Sequence, residues 1–132
     1  MRNHRTLFWT ALGIGVFMLG LMEYAAASTA ERTNYITFSR AVQLPGVTLG
    51  AGRYIFELPS PLTAPSVVQV LSRDRRTAYF MGFTHAVERP RGMRSDAPIS
   101  LGESQAGAPP RIAAWWPIGE NTGRQFVYAD AR

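Results

Sequence analysis

The sequence predicts an all-β domain, an antiparallel β-sandwich or partly open barrel of about seven or eight strands placed after an N-terminal signal helix. Three observations carry that prediction. Short apolar runs alternate with turn signals about every 8–12 residues beyond residue 34. No segment of that stretch repeats its apolar residues at a helical period. The chain opens on Arg2, His4 and Arg5, continues with the uncharged, mostly apolar run Leu7 to Met22, and then reads Ala25-Ala26-Ala27-Ser28-Thr29-Ala30. A basic start, a short apolar stretch and small residues form the three-part design of a secretory leader.

Signal peptidase admits only short side chains at positions −3 and −1, so cleavage is expected after Ala27 or after Ala30. Residues 1–27 are thus read as a signal peptide and residues 31–132 as a single β domain. The apolar run has 16 residues, short of the roughly 20 that span a bilayer. Gly13, Gly15 and Gly20 weaken it further as a helix. There is no twin-arginine pair, which points to the general secretion route and a periplasmic or extracellular address. If the leader is not cleaved, it becomes an N-terminal membrane anchor and the only membrane contact.

The strands follow in order. Tyr35 to Leu44 alternates with Ile36, Phe38 and Val42 on one face, and Arg40 interrupts that face, so a bulge or bend is expected there. Pro45-Gly46 reads as a type II turn. Val47 to Leu49 is a short extended piece, and Gly50-Ala51-Gly52 makes the next turn. Arg53 to Leu58 alternates most clearly, with Tyr54, Phe56 and Leu58 pointing one way. Pro59, Pro61 and Pro65 mark a loop.

Ser66 to Ser72 is a β-branched strand, and Arg73 to Arg76 is a hairpin turn holding Asp74. Thr77 to His85 is apolar on both faces, which predicts a central strand. Val87 to Asp96 reads as an exposed loop, Ala97 to Leu101 as a short strand, and Gly102 to Pro110 as another loop. Arg111 to Trp116 is a strand stopped by Pro117. Gly119 to Gly123 turns the chain, and Arg124 to Tyr128 is the closing strand.

Composition excludes several chemistries. The chain of 132 residues is 46% hydrophobic and has no cysteine, so a thiol nucleophile, a thiolate metal site and a disulfide framework are all absent. Its basic residues are 14 arginines against 9 acids, with no lysine. A chain beginning at Ser28 keeps 12 arginines and 8 acids, a net charge of +4. His85 is then its only histidine, which with no acidic cluster at ligand spacing is a poor metal site. No metal and no cofactor is expected.

Two features remain as binding candidates. Trp115-Trp116 on one strand must face opposite ways. One indole should enter the core with Ile112 and Ala114, while the other lies on the far face, where it could stack on a sugar or meet a partner. The second feature is Arg89-Pro90-Arg91-Gly92-Met93-Arg94, a basic loop able to grip an anionic group.

The pattern Ile36-Thr37-Phe38-Ser39, Val42-Gln43-Leu44-Pro45-Gly46 and Leu49-Gly50-Ala51-Gly52-Arg53-Tyr54 resembles small exported bacterial β-rich proteins of unknown function that carry an L-P-A-G-x-Y-like element. The likeness continues through Val67-Val68-Gln69-Val70, the Arg73 to Thr77 turn and the closing Gly119 to Tyr128 run. Gly50 stands where that element usually has proline. The resemblance implies a compact β domain outside the cytoplasm and carries over no catalytic residue.

The leading expectation is a non-enzymatic cell-envelope module, binding or structural, with an envelope protein or glycan as its partner. Export sets it apart from nucleic acid. The competing classes are a small envelope enzyme centred on His85 with Glu88 and Asp96, and a membrane-anchored partner protein that keeps Leu7 to Met22.

Overall fold

A computed structural model describes residues 33–129; the leader, its cleavage window and the expected signal helix lie outside the described residues. The chain divides into two units, Met1–Ala30 and Glu31–Arg132, and the described residues fall in the second. Ten strands follow one another there: β1 (Thr33–Phe38), β2 (Val42–Leu44), β3 (Val47–Leu49), β4 (Gly52–Glu57), β5 (Val67–Ser72), β6 (Ala78–Phe83), β7 (His85–Glu88), β8 (Ile99–Gly102), β9 (Arg111–Trp115) and β10 (Thr122–Gln125). They form two sheets, with no helix among the described residues and no closure into a barrel.

The first sheet runs β1-β4-β5-β6 and is antiparallel throughout. The alternation read in β4 sets its faces. Tyr54 and Phe56 point inward with Leu58, opposite Ile36 and Asn34 of β1, while Arg53, Ile55 and Glu57 point outward. Ile55 faces outward yet is fully buried, with Tyr35 and Leu71 on either side of it in register.

The second sheet runs β3-β2-β9-β10-β7, with β8 on the other side of β9. β8 pairs with β9 over most of its length, so the opposite edge of β9 is shared between β2 at its start and β10 at its end. The β2–β9 contact is parallel, through Gln43 and Arg111. The sheets are therefore not wholly antiparallel, because β2 reaches β9 from the far side of the fold rather than through a hairpin.

The core lies between the two sheets. Ile36, Phe56, Val68 and Val70 from the first meet Val42, Leu49, Ile112 and Trp115 from the second. Phe56 sits at the centre, with ring centroids 5.9 Å from Trp115 and 6.5 Å from Phe126. Burial of aromatic and branched side chains on this scale is the principal stabilising term in a domain without disulfides.

The ten strands exceed the seven or eight expected, because runs read as single strands divide and β7 (His85–Glu88) takes the start of the loop expected from Val87, and three further expectations change. The single strand expected over Tyr35 to Leu44 is two strands in different sheets, β1 and β2. The chain leaves one sheet at Ser39-Arg40 and enters the other, so Arg40 marks a crossing rather than a bulge. The central strand expected over Thr77 to His85 is an edge. β6 ends the first sheet, Thr84 turns the corner, and His85 begins β7 at the edge of the second. Thr84 is buried and ties that corner, donating both its N–H and its hydroxyl to Ser66 O, at 2.9 and 2.7 Å. The closing strand starts and ends earlier than Arg124 to Tyr128, at Thr122–Gln125.

Several local readings stand. Gly46 adopts φ +74° between the paired Leu44 and Val47, as the second central residue of a type II turn requires. Asp74 organises the β5–β6 hairpin, where its carboxylate accepts from the Ser72 hydroxyl at 2.7 Å and from Arg76 N–H at 3.1 Å. Those bonds, the Ser72 one first, hold the Asp74 carboxyl below its usual range.

Candidate functional site

Whether the two tryptophans offer a surface is decided by a bulge. Across β8 and β9, Ser100 faces Ala114 but Leu101 faces Ile112, so Ala113 is an extra residue on β9. The extra residue reverses the alternation beyond it. Trp115, not Trp116, therefore joins Ile112 in the core. Trp116 falls on the other side of the sheet, where the sequence placed an open indole. It is covered there too, at 2% exposed.

Trp116 is covered from two directions. Gly123 passes beneath it so closely that an added Cβ would stand 2.5 Å from Cε2. The Arg89 guanidinium lies over its ring, 5.1 Å from the centroid. Arg89 in turn closes its own loop by donating through Nη1 to Arg94 O and Ala97 O, both at 2.7 Å. Arg94 pairs with Asp96 at 2.9 Å, on the surface. Arg91 is exposed. The basic loop thus ties Arg89 into the fold and Arg94 to an acid.

A hollow of about 400 Å³ opens beside this loop, bounded by Asn34, Arg89, Asp96, Trp116 and Ile118. Asn34 is buried, and its Oδ1 accepts from Ile118 N–H at 3.2 Å. A second hollow, of about 620 Å³, lies at the other end of β9 by the Pro45-Gly46 turn and Tyr128. The Tyr128 hydroxyl bridges Gln43 O and Ile112 O, at 2.9 and 2.7 Å. Burial pushes its phenol up to about 12, against smaller opposing effects of Arg111 and the Ile112 bond.

The residues considered for enzyme chemistry do not meet. His85 and Glu88 are three positions apart on β7 and so face opposite ways. Asp96 is paired with Arg94 and borders the hollow by Trp116, which neither His85 nor Glu88 lines. No group of three or more His, Cys, Asp or Glu side chains among the described residues is placed to hold a metal ion.

The surface that the sequence did not mark is β6. Met81 is 62% exposed and Phe83 76%, both on the outer face of an edge strand. β3 of the second sheet comes near β6 without sharing a ladder. The edge-on contact of Tyr79 with Tyr54 at 5.5 Å, and the bond from Tyr54 to Gly50 O, place that approach at the start of β6. The half containing Met81, Gly82 and Phe83 is left open. The signal was present in the sequence: apolar residues on both faces fit an edge that shows one of them to solvent, as well as a strand buried on both.

Arg124 was also missed, having been read only as the start of a strand. It is 8% exposed, and its guanidinium joins three loop ends: Pro65 O at 2.9 Å, Glu120 Oε2 at 3.0 Å and Thr122 O at 2.7 Å. No protein-family model, curated protein or solved structure matches this chain.

Proposed function

We propose that this chain is an exported, non-enzymatic binding module of the cell envelope that engages its partner through the open edge of the first sheet. The observation that carries this reading is β6, where Met81 and Phe83 stand in solvent on a strand paired on one edge alone, with β5. An exposed apolar edge is a template for strand addition, and proteins that do not use such an edge blunt it with charge, proline or a covering segment. Between Ala78 and Phe83 there is no charge and no proline.

Export rests on the leader pattern and on the resemblance to small exported β-rich proteins. The module is a β-sandwich with its contact surface on an edge, placed in the periplasm or outside the cell.

Two measurements test the reading. Mass spectrometry of the protein from its own cells should find an N-terminus at Ser28 or Glu31, and an intact Met1 overturns cleavage. A photo-crosslinking residue in place of Phe83 should capture an envelope species, with the same residue at exposed Thr48 as the control. Equal yield at the two sites, or none at position 83, would sink the edge assignment.

A further inference from the structure

We infer that the partner of β6 is a second copy of this chain, added antiparallel about a two-fold axis at Gly82, so that two four-stranded sheets become one of eight. The inference rests on reading β6 as the contact edge.

Hydrogen-bond alternation fixes which groups are on offer. Thr84 N–H bonds Ser66 O across the β5–β6 ladder. In an antiparallel ladder every second residue bonds the same neighbour, so Gly82 and Phe80 also face β5. The N–H and C=O of Met81 and Phe83 are turned to the open side. These are the residues whose side chains are exposed on the outer face.

With the axis at Gly82, Met81 of each copy faces Phe83 of the other, and each facing pair exchanges two N–H···O bonds. The thioether of one chain then lies beside the aromatic ring of the other, a favourable contact made twice by symmetry. Gly82 faces its own copy in a non-hydrogen-bonded pair, where Cα atoms approach to about 4.5 Å. A side chain there would have no room on the inner face. An added Cβ would already stand 2.8 Å from Cζ of Phe80, whose ring lies over Gly82.

The direction follows from the two-fold axis at Gly82, which sets the two β6 edges antiparallel with Met81 of each copy beside Phe83 of the other. The tip turn is itself held off the open edge, since Arg75 is bound to Glu57 across the outer face at 3.1 and 3.2 Å.

The test is sedimentation equilibrium on the exported protein across the micromolar range, with Met81→Lys beside the wild type. Wild type should be a dimer, and Met81→Lys should weaken it by about 100-fold or more. Met81 faces solvent, so at a dilution where both chains are monomeric the variant should melt with the wild type, which separates lost pairing from lost fold. Register is read by cysteine pairs in a chain that has none of its own. Met81→Cys mixed with Phe83→Cys should crosslink, since facing Cα atoms lie about 5.5 Å apart. Either variant alone should not, because like positions lie diagonally at about 7–8 Å.

A monomer at every concentration, a dimer indifferent to Met81→Lys, or crosslinking of the single variants without that of the mixture overturns the inference. If wild type is monomeric while position 83 still captures another envelope species, self-pairing falls and the edge reading stands. If position 83 captures nothing, both fall.

Discussion

Replacing Gly123 with alanine drives a methyl group into Trp116. The new Cβ would stand 2.5 Å from Cε2, 2.6 Å from Nε1 and 2.9 Å from Cδ2. The ring is confined by Gly123 on one side and Arg89 on another. Trp116 is 2% exposed, its backbone N–H donates to Pro98 O at 2.8 Å, and Arg89 covers the ring at 5.1 Å. Overpacking a filled interior costs about 1–3 kcal/mol, and three ring atoms inside 3 Å put this site in the upper half, about 2–3 kcal/mol. In a domain of this size each kcal/mol moves the melting temperature by about 4–8 °C, so a fall of about 8–24 °C is expected.

Gly50→Ala is the control. Its new Cβ meets nothing within 4 Å and needs no left-handed backbone, so stability should stay within about 0.5 kcal/mol or rise slightly. Urea unfolding followed by tryptophan fluorescence separates the two, with a shifted midpoint and an unchanged slope for Gly123→Ala. Adding Trp116→Leu to Gly123→Ala should cost less than the sum of the two single changes, because the leucine removes the atoms that clash. If Gly123→Ala unfolds at the same urea concentration as Gly50→Ala, the placement of Trp116 over Gly123 is wrong.

Tyr128 predicts an alkaline loss of stability. Its folded phenol is raised from 10.0 to about 12, so the stabilisation it gives is complete below pH about 10 and disappears as pH climbs toward 12. Urea midpoints measured across that window should fall for wild type and fall less for Tyr128→Phe, which at neutral pH gives up about 1 kcal/mol for the single proton shared between Gln43 O and Ile112 O. Arg124→Ala leaves Pro65 O, Thr122 O and the Glu120 carboxylate without their donor. Glu120 keeps some solvent, so a cost of about 2–3 kcal/mol is expected by urea unfolding, together with faster proteolysis of the loop around Leu62.

What the sequence disclosed was local. Alternation in Arg53 to Leu58 gave the faces of β4, because each side chain there answers to a core directly beneath it. Pro45-Gly46 and Asp74 gave their turns, because the backbone conformation is set by the residues themselves. What it hid depended on partners far along the chain. Nothing near Arg40 says that β1 and β2 lie in different sheets; that follows from β1 pairing with β4 and β2 with β9.

The bulge at Ala113 likewise exists only in the register with β8, yet it decides which tryptophan enters the core. Arg89 and Trp116 were both singled out in the sequence, but their stacking against each other was not legible from 27 residues away. β6 shows the ambiguity most plainly. An apolar face with no partner and an apolar face under a second layer are written with the same residues, and only the order of strands in the sheet separates them.

β6 is an edge strand whose Met81 and Phe83 backbone groups are turned away from β5. Residue-resolved amide hydrogen exchange tests this placement most directly. In dilute protein the account predicts alternation along β6, with Phe80, Gly82 and Thr84 protected and Met81 and Phe83 exchanging as exposed amides. Raising the protein concentration should then slow Met81 and Phe83 alone. Slow exchange at both amides at high dilution would mean that β6 is already paired within one chain, and would contradict the account.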